Sequence, residues 1–428
     1  MKVAIQTLGC KVNQSESAAI EGTLRAHNFE IVRHTDSPDI CIVNTCTVTA
    51  KSDYQSRQLI RKAIKSGARV IATGCYAQVR SKEISKIEGL DLVIGNSGKN
   101  DILDHIRNLK ENNGSSSVII NHPLSPLSAQ PYYSSRSRAF LKIQDGCNFS
   151  CSYCAVPSAR GKSRSLNPDD MLKAAGLLFS QGYREIVLTG IHIGSYGLDL
   201  KPQSSLLHIV EMLIKSFPLV RFRLSSLEPQ EFKEELLSFI KEGSVCGHLH
   251  FPLQSGSDKI LKAMNRGYTT GYFKGLIEKI RSLCPDISIG TDIITGFPGE
   301  NESDFLETVR FIEQLPFSYL HVFPYSKRPD TRAALLENHL SDNIKQDRVK
   351  ILLEISKNKK ILFMQSKLGN ILDVIVENKY TRAGYYSGIS DDYLKISIKS
   401  DSLMRGQRLK VKVISLTDEG LIAEPLHK

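Results

Sequence analysis

The sequence predicts an α/β protein built from three blocks, and three observations carry that expectation. Short apolar runs alternate with amphipathic helical stretches over 1–110, the pattern of a mostly parallel sheet. A strand-then-helix unit recurs about six times over 139–330, which fits a partial barrel, shorter than the closed eight-fold form. From 366 to 428 the chain turns to short β-type runs separated by turn residues, as in a small all-β barrel.

In the first block the strand candidates are Val3–Thr7, Ile40–Asn44, Val70–Thr73 and Leu92–Ile94. Helices are expected over Ser15–His27, Ser52–Ser66 and Val79–Lys86. The stretch Lys110–Arg138 is rich in Ser, Asn and Pro and reads as an exposed linker. A first domain over 1–110 and a linker over 111–138 follow. The second block offers strands at Ala139–Ile143, Glu185–Leu188, Arg221–Leu224, His248–Pro252, Ser288–Ile294 and Tyr319–Pro324. A charged helix, Asp342–Lys367, leads out of it, which bounds a domain over 139–365. ILDVIVEN, YLKISIKS, RLKVKVISL and GLIAEPL supply the strands of the last domain, 366–428. On pattern alone that barrel fits oligonucleotide binding and a structural cap equally well.

Composition narrows the function classes. With 41% hydrophobic and 24% charged residues in 428, the chain can bury a sizeable core in two or three domains. No run of ~20 apolar residues is present, and MKVAIQTLGC turns polar too soon for a signal peptide. No membrane partner and a cytoplasmic location are expected. Nine cysteines in that reducing compartment point to metal or cluster ligation rather than disulfides. The net charge of +11 makes a polyanionic partner plausible without specifying one.

The strongest chemical signal is Cys147-Asn-Phe-Ser-Cys151-Ser-Tyr-Cys154, a C-x3-C-x2-C run just after the first barrel strand. Chemistry in parallel barrels gathers at the C-terminal ends of strands. Three thiolates hold three corners of a cubic iron–sulfur cluster, where full ligation takes four. The open iron can chelate S-adenosylmethionine (SAM) and pass an electron to its sulfonium, producing a radical that abstracts an unactivated hydrogen. A structural zinc site would need a second ligand half nearby, and none follows. Cys10, Cys46 and Cys75 form a second, dispersed trio, each just beyond a predicted parallel strand. Ligands of open α/β sheets converge at that edge, yet spacing alone favours scattered core cysteines. Cys41, Cys246 and Cys284 fall within strand or helix patterns and read as core.

The C-x3-C-x-aromatic-C run resembles the radical SAM superfamily, with Tyr153 in the aromatic position that lies by the adenine of SAM. The resemblance places other SAM contacts at strand ends: Gly190 in Thr189-Gly190, Ser226 in Ser225-Ser226, Gln254 and Ser255 in Gln254-Ser255-Gly256, and Asp292 in Thr291-Asp292. TLGCKVNQSES, NTCTVT and GCYAQ look like the N-terminal domain of methylthiotransferases, with Cys10, Cys46 and Cys75 at matching positions. RLSSLEP, HFPLQSGSD, GTDIITGFPGE, PYSKR and a TRAM-like β tail extend the match across the chain. Asp330 departs from it, standing where Gly is common.

The resemblance implies two 4Fe-4S clusters and SAM, with Cys147, Cys151 and Cys154 as the radical-generating set. It implies a methylthio group placed on C2 of threonylcarbamoyl-adenosine at tRNA position 37, within the anticodon stem-loop. The Cys10-Lys11-Val12-Asn13-Gln14 segment resembles that branch, whereas isopentenyl-adenosine enzymes more often carry Gln-Met after the cysteine. Isopentenyl-adenosine and a ribosomal-protein aspartate are the other substrates of the family. A reductant such as flavodoxin or ferredoxin is implied as electron donor. A non-enzymatic alternative is an RNA-binding protein with structural zinc. For RNA, Arg408, Lys410 and Lys412 could share one strand face, though a merely solvated face fits too. Arg160, Lys162 and Arg164 are expected to meet a substrate phosphate or carboxylate.

Overall fold

The computed structural model describes residues 1–111, 117–120, 127, 132, 136–379, 384–418 and 420–426. The N-terminal unit is a parallel sheet of strands β1 (Lys2–Thr7), β2 (Glu30–Ile31), β3 (Ile40–Thr45), β4 (Arg69–Gly74), β5 (Leu92–Ile94) and β6 (Ser117–Ile119). Their spatial order is β2-β1-β3-β4-β5-β6. Alternation along each strand sends neighbours to opposite faces. Ala4, Val43, Val70, Ala72 and Val93 meet Ile60 and Ala63 of the helix Ala50–Lys65. Val3, Ile42, Ile71, Leu92 and Ile94 meet Ile20, Leu24, Ile102 and Ile106 on the other side.

Two local expectations shift. The first helix runs Lys11–Ala26, starting four residues before the expected Ser15 and directly after Cys10. The side chain of Asn13 donates to Leu8 O (2.7 Å) and Thr45 O (3.0 Å), so tertiary bonds hold a turn that apolar periodicity does not register. The expected helix Val79–Lys86 is instead two short helices, Cys75–Val79 and Ser81–Ile84. Most of the stretch read as linker lies outside the described residues, but Ser117–Ile119 within it pairs with β5 as an edge strand.

Next come β7 (Ala139–Lys142), the short antiparallel pair β8 (Gln144–Asp145) and β9 (Arg164–Ser165), then β10 (Glu185–Thr189), β11 (Arg221–Leu224), β12 (His248–His250), β13 (Ser288–Thr295) and β14 (Tyr319–Pro324). The strands β7, β10 and β11 form one parallel group and β12, β13 and β14 another, joined through the Phe222–Val245 bridge. Together they make six strands of an incomplete barrel. The N-terminal unit spans its open side. The helix Lys11–Ala26 packs on β7, with Ser15 Oγ donating to Phe140 O at 2.7 Å. At the other lip, beyond β14, Arg328 reaches Thr47 Oγ1 at 2.9 Å and also Asp53.

The helix Asp342–Gln365 leads to a closed barrel of β15 (Ile371–Lys379), β16 (Tyr385–Ser390), β17 (Lys395–Lys399), β18 (Arg408–Thr417) and β19 (Gly420–Pro425). Val374, Val376, Ile396, Ile398, Val411, Val413, Leu421 and Ala423 fill it. The strand β16 was absent from the sequence reading, because Ser387 and Gly388 interrupt its apolar pattern. This barrel docks through two fully buried arginines of β11. Arg221 donates to Asp373 O (2.7 Å), and Arg223 to Asp391 O and Ser390 O (both 2.9 Å). Glu185 lies between them at 2.7 and 2.8 Å. Burial alone would raise its carboxyl, but Arg223 and Arg221 hold it well below the usual range. No helix among the described residues is long and apolar enough to cross a membrane.

Candidate active site

Cys10, Cys46 and Cys75 follow β1, β3 and β4, three adjacent parallel strands, so the dispersed trio is gathered at one sheet edge. Glycines make this approach possible. Gly74, before Cys75, has φ +97°, and a Cβ there would sit 2.4 Å from Thr45 O. Gly9, before Cys10, has φ +98°, and a Cβ would lie 2.9 Å from Cys46 Sγ. Both require the conformational freedom of glycine. Burial pushes the Cys46 thiol up to about 11, while Cys10 is exposed at the end of the same edge. A cationic metal centre reverses that preference by binding the thiolates.

Cys147, Cys151 and Cys154 lie in the loop after β8, and each sulfur receives an N–H group. Phe149 N approaches Cys147 Sγ (3.4 Å), Arg266 Nη1 approaches Cys151 Sγ (3.3 Å), and Val156 N approaches Cys154 Sγ (3.4 Å). His192 Nδ1 lies 3.7 Å from Cys147 Sγ, with its Nε2 on Glu231 at 2.6 Å. Such donors stabilise negative charge on cluster thiolates and set their potential.

Among the described residues, one trio of possible metal-binding atoms lies all within 4.8 Å of one another, that of His250, Asp292 and His321.

A cavity of about 270 Å³ is lined by one cysteine of each trio, Cys75 and Cys154. Cys154, Tyr153, Gln254 and Asp292 line it from the barrel, and Cys75 with Thr47–Thr49 from the N-terminal unit. Gln254 adopts φ 70°, a left-handed conformation unusual for a residue with a side chain. Ser255 is buried, its hydroxyl 3.3 Å from Thr308 Oγ1 and accepting from Ser257 N. Gly190 packs where a Cβ would lie 2.8 Å from Gln144 Oε1. Neither Gly190 nor Ser226 is among the cavity-lining residues, and Ser226 is exposed.

Three basic residues lie differently from expectation. Arg160, expected to face substrate, is fully buried. Its Nη1 contacts Glu16 (2.7 Å) and Asp145 (3.0 Å), its Nη2 contacts Asn13 Oδ1 (2.6 Å), and its Nε donates to Cys75 Sγ (3.2 Å). A guanidinium removed from water this completely must be paired, and here it clamps the barrel loop to the N-terminal unit. Burial alone would raise Glu16, but Arg160, Lys142 and Lys99 hold its carboxyl well below the usual range. Arg164 lies 3.4 Å from Asp145 on the rim of the same network. Arg408 is likewise occupied, paired with Asp373 at 2.6 Å, leaving Lys410 and Lys412 as the exposed part of the expected stripe. Asp330 takes φ 68°, the conformation a glycine would supply, and pairs with Arg80 at 2.9 Å. Sequence reasoning missed Arg266 and His192. Neither lies near its cysteine in the chain, and no spacing rule marks them.

Residues 141–312 match the Radical SAM superfamily, and residues 2–95 match the Uncharacterized protein family UPF0004. The chain is 37% identical over 422 residues to the threonylcarbamoyladenosine tRNA methylthiotransferase MtaB of Bacillus subtilis (strain 168), covering 96% of this chain and 93% of that one. It is 32% identical over 421 residues to the tRNA-2-methylthio-N(6)-dimethylallyladenosine synthase of Fusobacterium nucleatum, covering 96% and 97%. In fold it is similar to the radical S-adenosylmethionine methyltransferase TsrM of Kitasatospora setae, with a TM-score of 0.57 at 13% identity, over 78% of this chain and 77% of that one. With one cavity lined by a cysteine of each trio and relatives matched over nearly the full length, the chain belongs to the radical SAM methylthiotransferase family.

Proposed function

We propose that this protein places a methylthio group on C2 of threonylcarbamoyl-adenosine at tRNA position 37, using two 4Fe-4S clusters and SAM. The observation that carries the reading is the single cavity lined by Cys154 of one trio and Cys75 of the other. When bound, a cluster with an open iron reduces SAM to a radical, and the second cluster holds the sulfur to be transferred. An aromatic C–H is too weakly acidic for side-chain bases, so general base catalysis cannot replace that chemistry.

The chain's own residues hold and enclose the reactants. Cys147, Cys151 and Cys154 would anchor the radical-generating cluster, with Arg266, His192 and backbone N–H groups directed at their sulfurs. Cys10, Cys46 and Cys75 would anchor the second cluster, with Arg160 donating to Cys75. Tyr153, Gln254 and Asp292 would position SAM along the cavity wall, with Gly190, Ser226 and Ser255 shaping the strand ends around it. Closure of the barrel's open side by the N-terminal unit keeps water from the radical. The anticodon stem-loop would lie against this cavity, with the TRAM-like barrel over 366–428 adding phosphate contacts through Lys410 and Lys412. A flavodoxin or ferredoxin would supply electrons in the cytoplasm.

Replacing Cys10, Cys46 and Cys75 together by Ala tests the division of labour. About half the iron should be lost, SAM cleavage should continue, and methylthiolation should stop. Retained methylthiolation would refute the assignment. Mass spectrometry of tRNA nucleosides from cells lacking the gene separates the two adenosine substrates. Loss of the isopentenyl product instead would change the substrate and keep the mechanism.

A further inference from the structure

Lys11 follows Cys10 directly, and its ammonium does not share the fate of the other cations around it. Arg223 is committed to Glu185 and to backbone carbonyls of the small barrel. Arg138 pairs with Glu377 at 3.1 Å. Among the described residues, the Lys11 ammonium makes no ion pair within 4 Å and no side-chain hydrogen bond; its neighbour is the Tyr393 ring, 5.5 Å from its centroid, and Glu185, already engaged by Arg221 and Arg223, acts on it only at longer range. A partly buried ammonium with only an aromatic face beside it is poised for an anion.

The surroundings are built rather than incidental. Tyr393 enters from the small C-terminal barrel with φ 71°, a left-handed conformation that a residue with a side chain keeps only where its neighbours impose it. Arg223, at 4.9 Å, and Arg138, at 5.7 Å, also lie over its ring, and the His248 ring lies 4.9 Å away. From there a polar chain runs back to the cavity. His248 Nε2 meets Tyr319 Oη at 2.7 Å, Tyr319 Oη meets His250 Nδ1 at 3.1 Å, and His250 Nε2 meets Asp292 Oδ1 at 2.9 Å. Asp292 lines the cavity that Cys75 and Cys154 also line. All three domains therefore contribute to one polar wall that begins beside Cys10 and ends at the reaction cavity.

The substrate chemistry supplies the missing partner. A threonylcarbamoyl group carries one carboxylate, and an isopentenyl group carries none. Both hang from N6, the amino nitrogen on C6, and C6 and C2 flank N1 on one edge of adenine, so the substituent leaves the ring on the edge that carries the carbon receiving sulfur. We propose that Lys11, backed by Tyr393 and the His248–Tyr319–His250 chain, binds the threonyl carboxylate and thereby selects this substrate over a neutral N6 substituent. The proposal rests on the functional reading above and names the residue behind its specificity.

The test uses holoenzyme and three synthetic anticodon stem-loops, carrying threonylcarbamoyl-adenosine, its methyl ester and isopentenyl-adenosine. The parent enzyme should show a KM roughly ten- to a hundredfold lower for the acid, the range of a charge-assisted hydrogen bond. Lys11→Gln should raise the KM of the acid to that of the ester while leaving the ester unchanged, and Lys11→Arg should restore part of the preference. Matched iron content and circular dichroism show that the variants are folded and loaded. A Lys11→Gln enzyme that still prefers the acid as strongly as the parent overturns the proposal. So does an equal rise for acid and ester, which would mark a phosphate contact or a structural role. A parent enzyme that modifies only an isopentenyl RNA overturns the functional reading together with this one.

Discussion

Replacing Arg160 by Met keeps most of the side-chain volume and removes the charge that ties the barrel loop to the N-terminal unit. Four contacts disappear: Glu16 at 2.7 Å, Asp145 at 3.0 Å, Asn13 at 2.6 Å and Cys75 Sγ at 3.2 Å. Breaking a buried ion pair by removing one partner costs about 3–5 kcal/mol. Glu16 would keep Lys142 at 2.9 Å and also Lys99, which argues for the lower end. Asp145 would keep the Gly146 N–H at 2.9 Å and, as charge partners, Lys142 and Arg164, both at 3.4 Å, so the cost does not vanish. A loss of about 3 kcal/mol corresponds to roughly hundredfold faster amide exchange where opening controls exchange. Hydrogen-exchange mass spectrometry of the helix Lys11–Ala26, which carries Asn13 and Glu16, reads this directly. A double-mutant cycle with Glu16→Gln should give a coupling of about 1–3 kcal/mol. Exchange within about threefold of the parent, the scatter of an ordinary surface substitution, would refute the clamp. Loss of the Nε–H donor should also lower the reduction potential of the cluster at Cys75, measured by redox titration.

Glu16 and Glu185 both have folded-state carboxyls held below their unfolded values. Their contribution to stability is therefore complete above the unfolded value of about 4.3 and is lost as pH falls below it. Unfolding midpoints followed from pH 6 to pH 3 should drop, and Glu185→Gln should flatten the slope. Gly74→Ala forces a Cβ to 2.4 Å from a backbone oxygen at φ +97° and should destabilise by more than about 2 kcal/mol. Gly67→Ala, at φ +80° with no atom within 4 Å, should cost about 1 kcal/mol; equal thermal shifts for the two would remove the steric argument. Lys410→Ala with Lys412→Ala, both exposed, should weaken tRNA binding and reduce the slope of log K against log salt by about 2. An unchanged slope would take that strand out of the interface.

Much of the architecture was legible in the chain because it depends on short-range pattern. Short apolar runs between amphipathic stretches marked β1, β3, β4 and β5, and Cys147, Cys151 and Cys154 were legible as a candidate ligand set, since three thiols within eight residues are brought together by one loop. The dispersed trio is the intermediate case. Parallel strands predict a common edge, but only the observed adjacency of β1, β3 and β4 gathers Cys10, Cys46 and Cys75 there. The basic residues were the opposite case. Arg160 and Arg408 look like solvent-facing cations in sequence, and burial turned one into a clamp and the other into a docking contact. Arg266 and His192 approach their sulfurs from elsewhere in the chain. The sequence by itself determined the layered elements and the close spacing of Cys147, Cys151 and Cys154, which local pattern encodes. Tertiary structure alone decided which charges are paired and that Cys75 and Cys154 line one cavity, because the partner of a buried charge is set by packing between distant segments.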